Sequence, residues 1–321
     1  MTTLKECNQL DFDPFQLPPV DYLGMVECAC QSTHEGYSQA LNCGIRMGGS
    51  RCLIVVGSDG KLERHSQSKS EFVLVSRQIV PQSLLDGIYD TLSKFEGVHF
   101  EKNTSYGIEI KILEGTSPFS YANHESATVY PDRILNSAFI TGDVTAYAHA
   151  RMRVLREITA SDSLGQRIRD HMYEQLKQYK RAILTREFRH IPLFSLTDHQ
   201  QFYSEGVSLC FGFKIPFLRS VQRYIDIATT RLIRRGLISI HDCVDMPTST
   251  YDRLIFLHRS GYLPSDIAAN AGYAYGWFLR EYHRAQELFK RSSLPTATSF
   301  DPDEFNEYAR AIKRLLKITQ G

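Results

Sequence analysis

The sequence predicts an α+β protein. A small mixed sheet with helices occupies residues 21–130 and an all-α helical bundle occupies residues 131–321, with an irregular arm at residues 1–20. Three observations predict this division. Two apolar, strand-sized runs, Cys52–Val56 and Phe72–Val75, bracket a Gly-Ser turn and a polar bridge. A further run, Gly107–Leu113, alternates Ile108, Ile110 and Ile112 with Glu109 and Lys111, the period of two expected of a strand. From about Pro131 onward strand signals thin out and apolar residues recur at helical spacing.

The elements follow in order. Pro14, Pro18 and Pro19 make the arm irregular, and residues 21–46 read as helical. After the strand–turn–strand unit, Pro81–Phe95 is an amphipathic helix with Leu84, Leu85, Ile88, Leu92 and Phe95 on one stripe. Pro81 suits its first turn, where the missing N–H costs nothing. Val98–Glu101 reads as a short strand before 107–113. The second part predicts helices near 143–159, 161–186, 197–204, 216–235, 248–259, 264–290 and 302–318. Ser161 before Asp162, Pro264, and Asp301-Pro302 before Asp303 and Glu304 are helix-start signals. Ser292–Ser299, with Pro295 among small polar residues, reads as a linker, and no internal repeat stands out.

Composition excludes several classes of function. The chain is 42% hydrophobic and 23% charged with a net charge of +1, so nothing overall argues for a nucleic-acid or membrane partner. The longest apolar runs are strand-sized, too short for a membrane span. Met1–Phe15 lacks the apolar centre of a Sec signal peptide, while export by another route would leave no trace in the sequence. Seven cysteines stand at 7, 28, 30, 43, 52, 210 and 243. Their odd number and irregular spacing predict free thiols in a reducing, cytoplasmic compartment. Cys28 and Cys30 are too close in sequence for a zinc knuckle.

The chemistry centres on Gly57-Ser58-Asp59-Gly60-Lys61-Leu62-Glu63-Arg64-His65-Ser66-Gln67-Ser68-Lys69-Ser70-Glu71 and the strand that follows. A Gly-Ser turn at the end of a strand lets backbone N–H groups and a hydroxyl approach phosphates closely. Acids at alternate positions of the next strand point to the same side and can share magnesium ions, which want oxygen ligands. A third acid from a neighbouring strand completes such a site, and the metals neutralise a triphosphate during in-line displacement.

These residues resemble the nucleotidyltransferase core of the PII uridylyltransferase, the glutamine-synthetase adenylyltransferase and related nucleotidyltransferases. Gly57 and Ser58 match the family's turn. Gly60, Lys61 and Glu63 match its Gly-Arg-x-Glu run, and Ser68 stands before the acidic pair. Lys69 and Glu71 occupy the pair itself, and Glu109 suits the third acid. More loosely, Lys214–Val221 stands where the family has a lysine, a Gly-rich turn and Leu-Arg-Asp, without the glycines and the aspartate. Leu257–Leu263 and Ala274–Leu288 resemble its helical bundle. The resemblance covers residues 50–290 and is specific over 57–75.

The resemblance implies transfer of a nucleoside monophosphate from a nucleoside triphosphate to a hydroxyl, with a protein side chain as acceptor. Magnesium would sit on Glu71 and Glu109. Gly57, Ser58, Gly60, Lys61, Arg64 and Ser68 would bind the nucleotide, and Lys69, Glu71 and Glu109 would carry the chemistry. Lys69 departs from the pattern, because an ammonium cannot ligate magnesium and repels it. Two readings stay open. In one, Lys69 neutralises phosphate charge while Glu71 and Glu109 hold a single metal. In the other, metal catalysis is lost and the fold persists as a catalytically degenerate nucleotide- or protein-binding module.

Other candidates have plainer alternatives. Lys61 and Arg64 flank the turn and either contact phosphates or belong to an exposed loop. Glu109 is either a ligand or the solvent side of an edge strand, and Glu63 reads as structural, bracing the turn. His241-Asp242 with His258 and His190 has too few members for a His-Asp metal phosphohydrolase site. Cys28, Cys30 and Cys43 with His34 lack paired metal-ligand spacing. Arg219, Arg223, Arg231, Arg234 and Arg235 either line a cleft or form a solvated face with Asp226 as partner. The aromatics Tyr273, Tyr275, Trp277, Phe278, Tyr282 and Phe289 read as helix packing.

Overall fold

The two apolar runs that bracket the Gly-Ser turn pair with each other. In the computed structural model, which describes residues 13–65, 70–95, 98, 108–112, 133–184, 214–292 and 302–318, β1 (Arg51–Val56) lies antiparallel to β2 (Glu71–Ser76). Val56 faces Glu71 across the pair, and Arg51 faces Ser76. β3 (Ile108–Ile112) adds parallel to β2, and β4 (Ala138–Gly142) adds antiparallel to the other side of β1. The sheet order is β3-β2-β1-β4. The expected mixed sheet followed by helices is therefore present as a mixed α+β architecture.

Both central strands are buried along nearly their whole length, which requires cover on both faces. On one face Leu53, Val55, Phe72, Leu74 and Ile140 meet Tyr37 and Leu41 of α1 (Pro19–Gly44). Leu84, Leu85, Ile88 and Leu92 of α3 (Gln82–Leu92) complete that core; α2 is the short turn Gly57–Gly60. The stripe read from the sequence is the stripe that packs. Cys52, Ile54, Val73 and Val75 alternate with the first set and are also buried. Helix α4 (Val144–Thr159) packs on β1, β2 and β4 through an apolar set that includes Ala146, Ala150 and Val154.

Strand β4 falls where the sequence predicted only helices. Five residues on a sheet edge carry too little alternation to announce a strand, and the pairing with β1 decides the conformation. Its end is fixed by Gly142. That residue has φ +103°, and a Cβ there would lie 2.3 Å from the Arg51 carbonyl oxygen. Asp143 follows as the N-cap of α4, its Oδ1 accepting from the Thr145 N–H at 2.8 Å.

Among the described residues the further α-helices are α5 (Ser163–Leu184), α6 (Ser220–Arg234), α7 (Ile240–Val244), α8 (Thr250–Arg259), α9 (Ser265–Ser292) and α10 (Pro302–Lys317). A π-helical stretch, Lys214–Arg219, precedes α6. The helix expected at 197–204, most of the strand expected at 98–101 and the linker at 293–299 lie outside the described residues. Among the described residues no helix is long and apolar enough to cross a membrane.

The chain divides into two compact units. One draws on Met1–Met25, Tyr173–Ala228 and Leu254–Gly321, and the other on Val26–Met172 and Thr229–Arg253. The second contains the sheet. The first is held by aromatic packing: the Phe217 and Phe278 rings stack with centroids 4.0 Å apart, and Phe305 stands edge-on to both at 5.5 Å. Trp277 meets Phe278 edge-on at 5.0 Å. Tyr275, Trp277 and Phe278 are buried, as packing residues should be, and the Tyr275 hydroxyl accepts from Gln222 Nε2 at 2.7 Å. The Tyr22 hydroxyl meets His283 Nδ1 at 2.9 Å, which ties the start of α1 to α9.

Phe278 is the centre of that cluster, so Phe278→Ala is expected to cost the first unit about 3–5 kcal/mol. Trp277 is the chain's only tryptophan, so urea unfolding followed by its fluorescence reads this unit directly. A midpoint unchanged from wild type would contradict the packing argument.

Candidate functional site

The sheet topology gathers several chain segments at one end. β1 runs toward that end and finishes at Gly57, while β2 starts there with Glu71 opposite Val56. Because β3 is parallel to β2, it starts at the same end, with Glu109 in register with Val73. β4 is antiparallel to β1, so a helical turn at 133–135 and the residues before Ala138 arrive there too. Gly57, Ser58, Glu71, the backbone of Glu109 and Arg133 are thus neighbours by topology. The Glu109 side chain, Ser68 and Lys69 lie outside the described residues.

The turn has a tight, cross-braced form. Gly57 adopts φ +75°, and the space beside its Cα holds the Glu71 carboxyl group, 3.8 Å from where a Cβ would sit. The Glu63 N–H donates to the Ser58 carbonyl at 2.9 Å, and the Leu62 N–H to the Asp59 carbonyl at 3.0 Å. Leu62 itself is held at φ 59°, a left-handed conformation unusual for a leucine. Gly60 is irreplaceable on steric grounds. A Cβ there would lie 2.5 Å from the Val55 carbonyl oxygen and 2.6 Å from that of Asn136, both backbone atoms that cannot yield. The Glu63 side chain is buried beside the turn, and it is the Glu63 backbone N–H that braces Ser58.

What orders this turn is Asp59, a residue to which the sequence reading gave no role. Its side chain is fully buried. Oδ1 accepts from His34 Nε2 at 2.7 Å, and Oδ2 accepts from the Ser70 hydroxyl at 2.8 Å. Arg64 Nη1 stands 3.7 Å from Oδ2 and donates to the Tyr37 hydroxyl at 2.9 Å. One carboxylate thus ties the turn to α1 and to the start of β2, with a counter-ion at hand. Arg64, a candidate phosphate contact, is directed into this network. The spacing of an acid inside a Gly-x-x-Gly turn, with a serine just before the next strand, was the available signal; the distant His34 supplied none.

The same network sets the behaviour of nearby groups. Burial first, and then the Asp59 charge, push the Cys30 thiol up to about 12. Burial also raises the Tyr37 hydroxyl above its ordinary value, against the opposing charge of Arg64. Both stay neutral near neutrality, so neither is poised for nucleophilic chemistry. His34 Nε2 is engaged by Asp59, and among the described residues no metal-holding group joins it to Cys28, Cys30 and Cys43.

Glu71 forms an ion pair with Arg133, Nη2 to Oε2. Both side chains keep access to water, at 26% and 34% exposure for Arg133 and Glu71. Burial lowers the Arg133 guanidinium from its ordinary value, but arginine remains charged in proteins. Lys61 closes the turn at φ −90° and is half-buried. Among the described residues no group of three or more His, Cys, Asp or Glu is arranged to hold a metal ion.

The fit to magnesium is poor at Glu71. A divalent ion there would have to displace or sit beside a guanidinium, against like-charge repulsion. The other candidates resolve as structural. Asp242 forms a capping box with Ser239, accepting from its N–H at 2.8 Å, and His258 Nδ1 meets the Leu263 carbonyl at 3.0 Å. Arg223 pairs with Asp226 at 3.5 Å with both side chains buried, so that pair is not the solvated face the alternative reading expected. His190 and the Phe289 side chain lie outside the described residues.

No protein-family model matches the chain, and no curated protein matches it at a significant level.

Two outcomes test this geometry. Asp59→Ala leaves His34, Ser70 and Arg64 without their shared acceptor, with an expected loss of about 3–5 kcal/mol. Ser70→Ala, which removes one hydrogen bond to a charged group, is expected to lose about 1.5–3 kcal/mol. Urea unfolding followed by far-ultraviolet circular dichroism checks the order, and equal losses would contradict it. Alkylation with iodoacetamide at pH 8, mapped by peptide mass, is expected to modify exposed Cys28 and Cys43 first. Burial pushes Cys52 up to about 12 and Cys243 to about 11, so these and Cys30 should react only after unfolding. Labelling of Cys30 as fast as Cys28 would contradict the assignment.

Proposed function

We propose that this chain is a nucleotidyltransferase-fold protein that binds a nucleoside triphosphate and acts as a catalytically degenerate nucleotide- or protein-binding module. The observation that carries this reading is the Glu71–Arg133 pair. The one described acid of the alternate-acid motif is neutralised by a guanidinium, and its companion position is Lys69. Lys69 supplies no oxygen ligand and Glu71 is already held by a guanidinium, which together disfavour two-metal phosphoryl chemistry.

The support for the fold is topological. An antiparallel strand pair joined by a Gly-Ser turn, with a parallel third strand, brings the turn and the starts of β2 and β3 to one end of the sheet. That is where a triphosphate would meet backbone N–H groups of Gly57 and Ser58. Lys61, at the end of the turn, and Lys69 would add positive charge. Asp59 would keep the turn in shape and Arg64 would serve that network. No step of group transfer is assigned to these residues.

Calorimetric titration of the full chain with ATP, GTP, UTP and CTP, in magnesium and in EDTA, tests the reading. At least one is expected to bind, and Lys61→Ala is expected to weaken binding about tenfold, or about 1.4 kcal/mol. Wild-type chain incubated with magnesium, radiolabelled triphosphate and cell extract is expected to transfer no label to protein and release no pyrophosphate. Absence of binding under every condition would sink the reading. Label transfer by the wild type, lost in Glu71→Ala, would replace it with an active transferase that uses Glu71 and Glu109 for one metal.

A further inference from the structure

The acid at the start of β2, beside the Gly-Ser turn, is held by a cation that could also serve an anionic ligand. Here the cation at Glu71 is the Arg133 guanidinium, carried on the helical turn at 133–135. β4 begins at that same end of the sheet, so Arg133 is anchored by the strand that follows it. Asn136, three residues on, is fixed from two sides: its carbonyl lies against Gly60, and its Oδ1 accepts from the buried Arg253.

The pair is suited to exchange. Both side chains are half-buried yet keep some access to water, so an anionic ligand can reach the pair from solvent. A triphosphate carries several charges and offers paired oxygens that match the guanidinium fork. Glu71 also lies against Gly57, so Arg133 reaches the mouth of the turn without the chain having to refold.

We propose that Arg133 is a phosphate ligand of this cleft, standing in place of a divalent metal, with Glu71 as its resting counter-ion. This inference rests on the nucleotide-binding reading above and says how that site is regulated: triphosphate binding needs no divalent ion and draws Arg133 away from Glu71. No bond is made or broken.

Calorimetry on the full chain, with ATP and with inorganic tripolyphosphate as probes, tests it. In EDTA, wild type is expected to bind at least as tightly as in excess magnesium, because the magnesium complex carries less negative charge. Arg133→Gln is expected to weaken binding in EDTA at least about tenfold, in line with loss of charge-assisted hydrogen bonds. Glu71→Gln is expected to tighten it about two- to fivefold, since the competing carboxylate is gone. Both variants lose the Glu71–Arg133 pair, so loss of that pair by itself moves them together and cannot produce opposite signs. Wild-type binding that requires magnesium would overturn the inference and leave the binding reading standing. So would Arg133→Gln binding as wild type does, or Glu71→Gln losing affinity. If neither probe nor any nucleoside triphosphate binds under any condition, the reading fails and the inference with it.

Discussion

A fully buried carboxylate sits at the centre of the sheet-bearing unit, and the shape of everything around the Gly-Ser turn depends on it. Asp59 is removed from water and yet accepts from His34 and Ser70, with Arg64 close by. Burying a charge is costly unless it is paired and hydrogen-bonded, so these partners are obligatory. Their positions on α1 and before β2 fix how the turn sits against both. Gly60 completes the constraint, because the turn packs so closely on Val55 and Asn136 that no side chain fits. Leu62 is then held in a left-handed conformation that its own preferences would not select.

The consequence for chemistry is a division of labour between two carboxylates. Asp59 faces inward and is saturated by donors. Glu71 faces the end of the sheet, partly in water, against a single guanidinium. An acid of the first kind builds a scaffold, and one of the second kind can change partners. Arg64 and Arg133 divide in the same way, the former within the scaffold and the latter at the rim. On the proposed reading, anionic ligands would meet fixed organic cations here, whose charge does not depend on metal supply.

The sequence made the strand–turn–strand unit legible because both strands are short apolar runs with a glycine between them. The stripe of α3 was legible because Leu84, Leu85, Ile88 and Leu92 recur at helical spacing, and Tyr275, Trp277 and Phe278 of α9 were readable as packing, whereas Tyr273 of the same group is exposed. β4 was not, since its five residues become a strand only through pairing with β1. The importance of Asp59 was hidden for a related reason: His34 lies 25 residues away on a helix, and no local pattern reports that contact. Arg133 was invisible for the same cause, as its meeting with Glu71 depends on where β4 joins the sheet. Local periodicity is written in the chain, whereas the partners of single charged groups are set by topology.

We propose that a guanidinium, not a metal ion, mediates between Glu71 and an anionic ligand. A crystal structure of the full chain grown with ATP and manganese, with anomalous scattering to locate the metal, tests this most directly. Phosphate is expected at the Gly57–Ser58 turn, with Arg133 turned onto it and no manganese peak between Glu71 and the phosphates. A manganese ion bridging Glu71 to the triphosphate, with Arg133 displaced, would contradict it.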